Sequence, residues 1–370
     1  MPQVRVCRAF WTERVRETEK QEILNAIAVP LLAWYDVHKR TLPWRGTKDP
    51  YQVWVSEIML QQTRVAAVLP YYERWMRELP DVEALAAVEN ERLMKLWEGL
   101  GYYSRVRNMQ KAAKMLLTEY NGKFPQTSKE LCRLPGIGSY TAGAIASIAF
   151  GEAVPAVDGN VLRVAARTAG IADDIMDPNT RKLFQKMMEK AVPKERPGEY
   201  NQALMDLGAV VCVPNGAPDC GQCPLAGLCV ANRLELQNTL PVRAKKAKRR
   251  VEELTLYLLV RGDQIAMRKR PEEGLLAGLW EFPHVPGTLD ETAAAQVLRG
   301  WGVTPLEWQK KITGKHIFTH VEWHMTGYLL TVRGGGEDFL WAGAETLQTL
   351  AVPSAFGKFL EHALRRMNSR

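Results

Sequence analysis

No apolar run in this chain approaches the roughly 18 residues that a membrane-spanning helix requires. The first twenty residues, Met1 to Lys20, carry charges throughout and hold no apolar core of the kind a secretory signal needs. Cysteine is scarce, six in 370 residues. The expectation is an intracellular protein, where thiols stay reduced and cysteines act as ligands or free thiols, not as a disulfide framework. Acidic residues are outnumbered, 41 against 49 lysines and arginines, which leaves a formal net charge of +8. That excess favours a polyanionic partner, nucleic acid or an anionic membrane, although an ordinary basic soluble protein also fits. A hydrophobic content of 46% excludes general disorder, and the length allows two or three domains.

From residue 20 to residue 232 apolar residues recur at helical spacing, and no strand alternation interrupts them. Asp49-Pro50 reads as an N-cap followed by a first-turn proline, opening a helix to about Leu60. Further helices are predicted over 63–76, 90–97, 104–120, 139–150, 160–169, 178–191 and 199–211. After Leu240-Pro241, six lysines and arginines crowd positions 243–250. The run reads as a solvated linker or, on a DNA-binding protein, as a phosphate contact. Period-two patterning begins beyond it. Residues 254–260 and 265–268 read as a hairpin, with strands near 308–312, 316–318 and 324–332 and helices near 291–301 and 354–367. This is a separate α+β domain.

Four features carry chemistry. Cys212, Cys220, Cys223 and Cys229 stand at spacing C-x7-C-x2-C-x5-C. Four thiolates in one short loop can bind zinc, the commoner case on spacing alone, or a 4Fe–4S cluster. Cys7 and Cys132 are left over, read as a tail thiol and a small packing residue. Leu134-Pro-Gly-Ile-Gly-Ser-Tyr-Thr141 places a tight turn before a helix N-terminus, where Gly136 and Gly138 let exposed amides approach a phosphate. Taken alone, it is an ordinary turn. Asp158 precedes Gly159-Asn160 as an N-cap, and a carboxylate there could also stabilise a developing sugar cation. Glu57 has Val53, Trp54 and Leu60 on its own helix face, and such an apolar surround raises a carboxyl pKa.

Together these motifs resemble the helix-hairpin-helix DNA glycosylase superfamily. Leu42-Pro-Trp-Arg45 and Ser56-Glu-Ile-Met-Leu-Gln-Gln-Thr63 resemble one branch closely, the adenine DNA glycosylases of the MutY family. The resemblance runs from about Ile27 to the C-terminal helix. It implies a multidomain protein, with an all-α helix-hairpin-helix glycosylase core and a C-terminal α+β Nudix-like domain. The implied boundaries are an N-terminal extension 1–18 and a glycosylase domain 19–232, then a basic linker 233–250 and a lesion-recognition domain 251–370. Within the glycosylase domain, a six-helix barrel over 43–160 stands beside an iron–sulfur subdomain formed by 19–42 and 161–232.

The same resemblance assigns roles. Glu57 matches the acid that protonates adenine, and Asp158 matches the residue that supports an oxocarbenium-like sugar. Tyr140 and Asn160 flank that chemistry. Tyr140 stands where strand-cleaving relatives carry a lysine, and a phenol cannot form an imine. That implies a monofunctional enzyme, in contrast to a glycosylase/lyase of the endonuclease III type. Leu42, Arg45, Gln62 and Tyr102 match DNA-contacting positions, the last two filling the gap left by a flipped base. The cysteines imply a 4Fe–4S cluster, although the first gap is seven residues where the family usually has six. Leu275-Leu-Ala-Gly-Leu-Trp-Glu-Phe-Pro283 resembles the Nudix-like domain, but Gln296, Arg299 and Gly300 replace the carboxylates a working Nudix site uses for magnesium. Phe318-Thr-His320 matches a Phe-Ser-His loop that reads 8-oxoguanine. The implied partner is duplex DNA with adenine opposite 8-oxoguanine, met by a cytoplasmic, nucleoid-associated monomer. Two other classes are a non-enzymatic DNA-binding protein with structural zinc and a Nudix hydrolase.

Overall fold

The computed structural model describes residues 16–244, 248–335 and 338–367. Cys7, most of the 1–18 extension, and Lys245 and Lys246 of the basic run therefore lie outside the described residues. The chain forms two compact units: one of 16–87 and 108–244, the other of 88–107 and 248–367.

The helices follow in order as α1 Glu17–Ala26, α2 Ala28–His38, α3 Pro50–Leu60, α4 Val65–Glu78, α5 Val82–Ala87, α6 Asn90–Leu96 and α7 Ser104–Glu119. After them come α8 Ser128–Leu131, α9 Ser139–Ala149, α10 Gly159–Ala169, α11 Pro178–Ala191, α12 Pro197–Val210 and α13 Val230–Arg233. Local chemistry starts them. Asp49 accepts from the Tyr51 amide at 2.9 Å, with Pro50 supplying a ready-made φ. Asp177 does the same for α11, accepting from Thr180 at 2.8 Å. Gly170 ends α10 in the left-handed region at φ +67°, and a Cβ there would stand 2.6 Å from Val230 Cγ1. Only glycine serves both needs. Trp54 of α3 is fully buried and meets the edge of Phe124 at 5.5 Å. A second core joins α1 and α2 to α10, α11 and α12 through Leu24, Leu31, Val164, Phe184, Tyr200 and Leu204.

The second unit is built on a mixed sheet. Its strands are β1 Arg250–Arg261, β2 Gln264–Lys269, β3 Trp280–Glu281 and β4 His284–Pro286, then, beyond α14 Glu291–Gly300, β5 Val303–Ile317, β6 Val321–Gly334 and β7 Leu340–Ala342. Helices α15 Ala344–Thr349 and α16 Gly357–Met367 complete it. The strand order is β3-β2-β1-β6-β5, with β4 on β1 and β7 on β2. Strand β1 runs parallel to β6 from Arg250 opposite Val321 to Val260 opposite Thr331. Strict alternation then feeds two cores. Leu254, Leu256, Leu258 and Val260 face Phe359 and Ala363 of α16. Tyr257 and Leu259 face Ala294 and Leu298 of α14.

Two sequence expectations change: Cys132, expected to pack, is exposed, and two predicted strands merge. The predicted strands at 308–312 and 316–318 are one strand, β5, with register shifts at Pro305/Glu307 and Trp308/Lys310. Phe318 lies beyond its end. Segment 88–107 packs with the second unit. There Lys95 Nζ donates to the Leu350 carbonyl at 2.9 Å, and the Val352 amide donates to Glu98 at 2.8 Å.

Candidate active site and nucleic-acid interface

In the first unit four predicted residues come together. Glu57 on α3 is 6% exposed, and the Tyr140 hydroxyl from the first turn of α9 donates to its Oε2. Burial pushes the Glu57 carboxyl up, and the Asp158 charge adds to that. The Tyr140 hydrogen bond and the Arg45 charge pull it back. Burial and the Glu57 charge push the Tyr140 phenol up as well, so it stays a proton donor. Asp158 caps α10, accepting from the Val161 amide at 2.8 Å and from Asn160 Nδ2 at 2.7 Å. Burial also raises Asp158, but these two donors and the Arg163 charge favour its anion. The two carboxyls thus differ in support: one phenol for Glu57, a helix start and an amide for Asp158.

Arg45 extends this cluster. Its guanidinium meets Asp206 Oδ1 at 2.7 Å and Tyr35 Oη at 3.3 Å, and it donates to Gln202 Oε1. Asp206 is fully buried and also receives Arg40 at 2.6 Å. Tyr35, Arg40, Leu42, Arg45 and Gln202 line an open cavity of about 580 Å³. Sequence reasoning named Leu42 and Arg45 but missed Tyr35, Gln202 and Asp206. A signal for two of these was present, since Gln202 and Asp206 stand one helical turn apart on either side of the apolar Ala203-Leu-Met205.

The glycine turn is formed as the motif requires. Gly136 takes φ +76°, where a Cβ would stand 2.6 Å from Asn108 Cβ, and Gly138 precedes α9 with open space around it. Gln62 is exposed just beyond α3 in the left-handed region, φ +59°.

The four cysteines are free thiols lining one cavity, with Arg167 Nη1 3.2 Å from Cys212 Sγ. Among the described residues, no three His, Cys, Asp or Glu side chains are placed to hold a single metal ion. A tetrahedral zinc site needs four sulfurs each about 2.3 Å from one point. A polynuclear cluster spreads the same donors around a larger body, and four thiols surrounding a cavity fit that description. Burial pushes Cys223 up to about 12 and raises Cys229, so a bound cation would displace protons there. Arg163 donates to the Cys212 carbonyl at 2.7 Å and to Asn160 Oδ1 at 2.9 Å.

In the second unit, Phe318, Thr319 and His320 form the turn between β5 and β6. The Phe318 amide donates to the Val321 carbonyl at 2.8 Å. The Phe318 ring packs edge-on against His316 and Trp323, at 4.6 and 4.8 Å. The basic run takes part, as Arg249 Nε donates to the Phe318 carbonyl at 3.1 Å. Tyr102 Oη lies 2.7 Å from Thr319 Oγ1. Both residues line a cavity of about 440 Å³ with Leu100, Leu275 and His316.

Residues 55–193 match the HhH-GPD superfamily of base excision DNA repair proteins, and residues 255–362 match a NUDIX domain. A thermostable thymine-DNA glycosylase is 26% identical, with a TM-score of 0.52 over 58% of this chain and 98% of its own. Endonuclease III, solved in a non-covalent complex with DNA, is 28% identical at a TM-score of 0.50, covering 59% and 98%. Fold and site therefore define a DNA N-glycosylase with a helix-hairpin-helix core and an appended Nudix-like domain. Among curated relatives, adenine DNA glycosylases are 39% identical in Arabidopsis thaliana, 36% in Homo sapiens and 33% in Buchnera aphidicola from Baizongia pistaciae. They match 92%, 90% and 89% of this chain, which spans 64%, 73% and 94% of theirs. The chain belongs to the adenine DNA glycosylase family. No helix among the described residues is long and apolar enough to cross a membrane.

Proposed function

We propose that this protein removes adenine from adenine:8-oxoguanine pairs by hydrolysis and leaves the DNA backbone intact. The buried Glu57–Tyr140 pair beside capped Asp158 carries this reading. Adenine leaves poorly as an anion. Glu57, held protonated by burial, gives its proton to the flipped base as the bond from sugar C1′ to adenine breaks. Asp158, whose carboxylate accepts from the Val161 amide and Asn160 Nδ2, supports the cationic sugar until water adds to C1′ and its proton passes to the Glu57 carboxylate, restoring the acid. Tyr140 holds the Glu57 carboxyl and offers no amine, so no imine forms and no strand is cut. Leu42 and Arg45 contact the DNA. Gly136 and Gly138 present amides to a phosphate, and Gln62 and Tyr102 fill the vacated stack. Phe318, Thr319 and His320 read the opposite 8-oxoguanine. The domain reading follows, with a glycosylase domain to about residue 232 and a lesion-recognition domain from about 251. The latter lacks Nudix hydrolase activity for want of carboxylates at 296 and 299.

Cys212, Cys220, Cys223 and Cys229 would hold a 4Fe–4S cluster, whose contribution is to order their loop against DNA. The protein acts as a monomer.

The test is single-turnover incubation with an end-labelled duplex holding adenine opposite 8-oxoguanine, with and without alkali afterwards. Product only after alkali is expected. Product without alkali would establish a lyase, and no product would overturn the substrate.

A further inference from the structure

The turn between α6 and α7 is held in an unusual backbone. Gly99, Gly101 and Tyr102 all take positive φ, at 100°, 67° and 47°. Glycine does so freely, whereas a tyrosine does so only when its surroundings enforce it. A guanidinium and an indole hold the carbonyls of this turn. Arg105 Nη2 donates to the Leu100 carbonyl at 2.8 Å and to the Gly101 carbonyl at 3.0 Å. Trp97 Nε1 donates to the same Gly101 carbonyl at 3.0 Å. The Arg105 guanidinium also lies 5.1 Å from the Trp97 ring centroid and 5.7 Å from that of Tyr102. Trp97 is fully buried, so this cation rests on a fixed floor. Tyr102 stands above it, 47% exposed, with its hydroxyl on Thr319.

Resting on the reading above, we propose that Arg105 is the positioning residue that aims Tyr102 at the base stack beside the lesion. It gathers two consecutive carbonyls on one side of the turn and sets its charge against the ring. The φ of Tyr102 is thereby fixed before DNA arrives. A ring already aimed need not be ordered during binding, which strengthens engagement of the lesion pair without touching the acid chemistry. Lysine can carry the charge but lacks the planar fork and the stacking face. The role is therefore specific to arginine.

Full-length Arg105→Met and Arg105→Lys proteins test this, each also combined with Tyr102→Ala. Two readouts are taken: single-turnover excision of adenine opposite 8-oxoguanine over a range of enzyme concentration, and fluorescence of a 2-aminopurine beside the lesion, which brightens when the stack opens. Losing two charge-assisted hydrogen bonds should weaken half-saturation by about tenfold or more, with the saturated rate changed by less than about twofold. The fluorescence rise should fall in parallel. In the Tyr102→Ala background, Arg105→Met should add nothing. Additive losses in the double variant, or a fall in the saturated rate alone, would overturn the proposal. So would normal half-saturation in folded Arg105→Lys, which carries the test if Arg105→Met does not fold. If the parent protein leaves adenine in place, the function above fails. The fluorescence comparison of parent, Arg105→Lys and Tyr102→Ala still decides whether Arg105 aims the ring.

Discussion

Asp206→Asn is a demanding perturbation because it changes a charge and almost no volume. Asp206 is fully buried and receives Arg40 at 2.6 Å and Arg45 at 2.7 Å on one oxygen. Removing one member of a buried ion pair costs about 3–5 kcal/mol, because the remaining charge is left uncompensated. Two features place this case at the low end. The asparagine oxygen still accepts hydrogen bonds, and the arginine side chains are 26% and 14% exposed, so water reaches them. About 3 kcal/mol, at roughly 2–4 °C for each kcal/mol in a unit of this size, lowers its melting point by about 6–12 °C. Calorimetry should show the loss in one transition. A second effect follows at the acid. Arg45 pulls the Glu57 carboxyl down, and Asp206 offsets part of that charge. With Asp206 neutral, Arg45 acts more strongly, so the pH above which excision fails should move lower. An unchanged melting point together with an unmoved pH profile would refute the account of Asp206 as the counter-charge of this cluster.

Glu57→Gln should abolish excision while leaving duplex binding within about threefold, measured by single-turnover kinetics and fluorescence anisotropy. The same variant should melt higher than the parent at pH 8. The folded-state pKa of Glu57 is raised, so its contribution to stability is full below its unfolded value and is lost as pH rises through the folded one; glutamine carries no such loss. Melting curves from pH 5 to 8 should therefore diverge with rising pH, and parallel curves would sink the assignment of a raised carboxyl. Gly136→Ala meets both a positive φ and Asn108 at 2.6 Å, so about 2–4 kcal/mol of stability should go, read by urea unfolding. Gly327→Ala would press on Phe359 at 2.7 Å and destabilise the second unit by about 1–3 kcal/mol in the same assay.

What could be read from residues alone divides along physical lines. Helix starts at Asp49 and Asp158 were legible because capping is local chemistry. The hairpin at Arg261–Gln264 was legible because alternation breaks there. Strand β5 was split at Thr313-Gly-Lys315, where a glycine breaks the apolar alternation, although its pairing with β6 runs through that stretch without a shift. At the candidate site, Glu57, Tyr140 and Asp158 stood inside recognisable motifs. Asp206 and Gln202 did not. A carboxylate at zero exposure is intelligible only when Arg40 and Arg45 are seen beside it, and those partners lie about 160 residues away. Arg105 was hidden for a similar reason, since its partners are carbonyls and rings, which leave no side-chain signature.

The union of 88–107 with 248–367 in one unit has a practical consequence. A fragment beginning at residue 248 would be a contiguous stretch of chain but an incomplete folding unit. The Leu350 carbonyl and the Val352 amide would lose Lys95 and Glu98, and the Ala277 carbonyl would lose Arg107. Limited digestion should therefore spare the join between the two pieces even after a cut at exposed Arg243. The released C-terminal piece should stay associated until denaturant separates it, with Tyr102 and the Phe318–His320 turn retained in one inherited part.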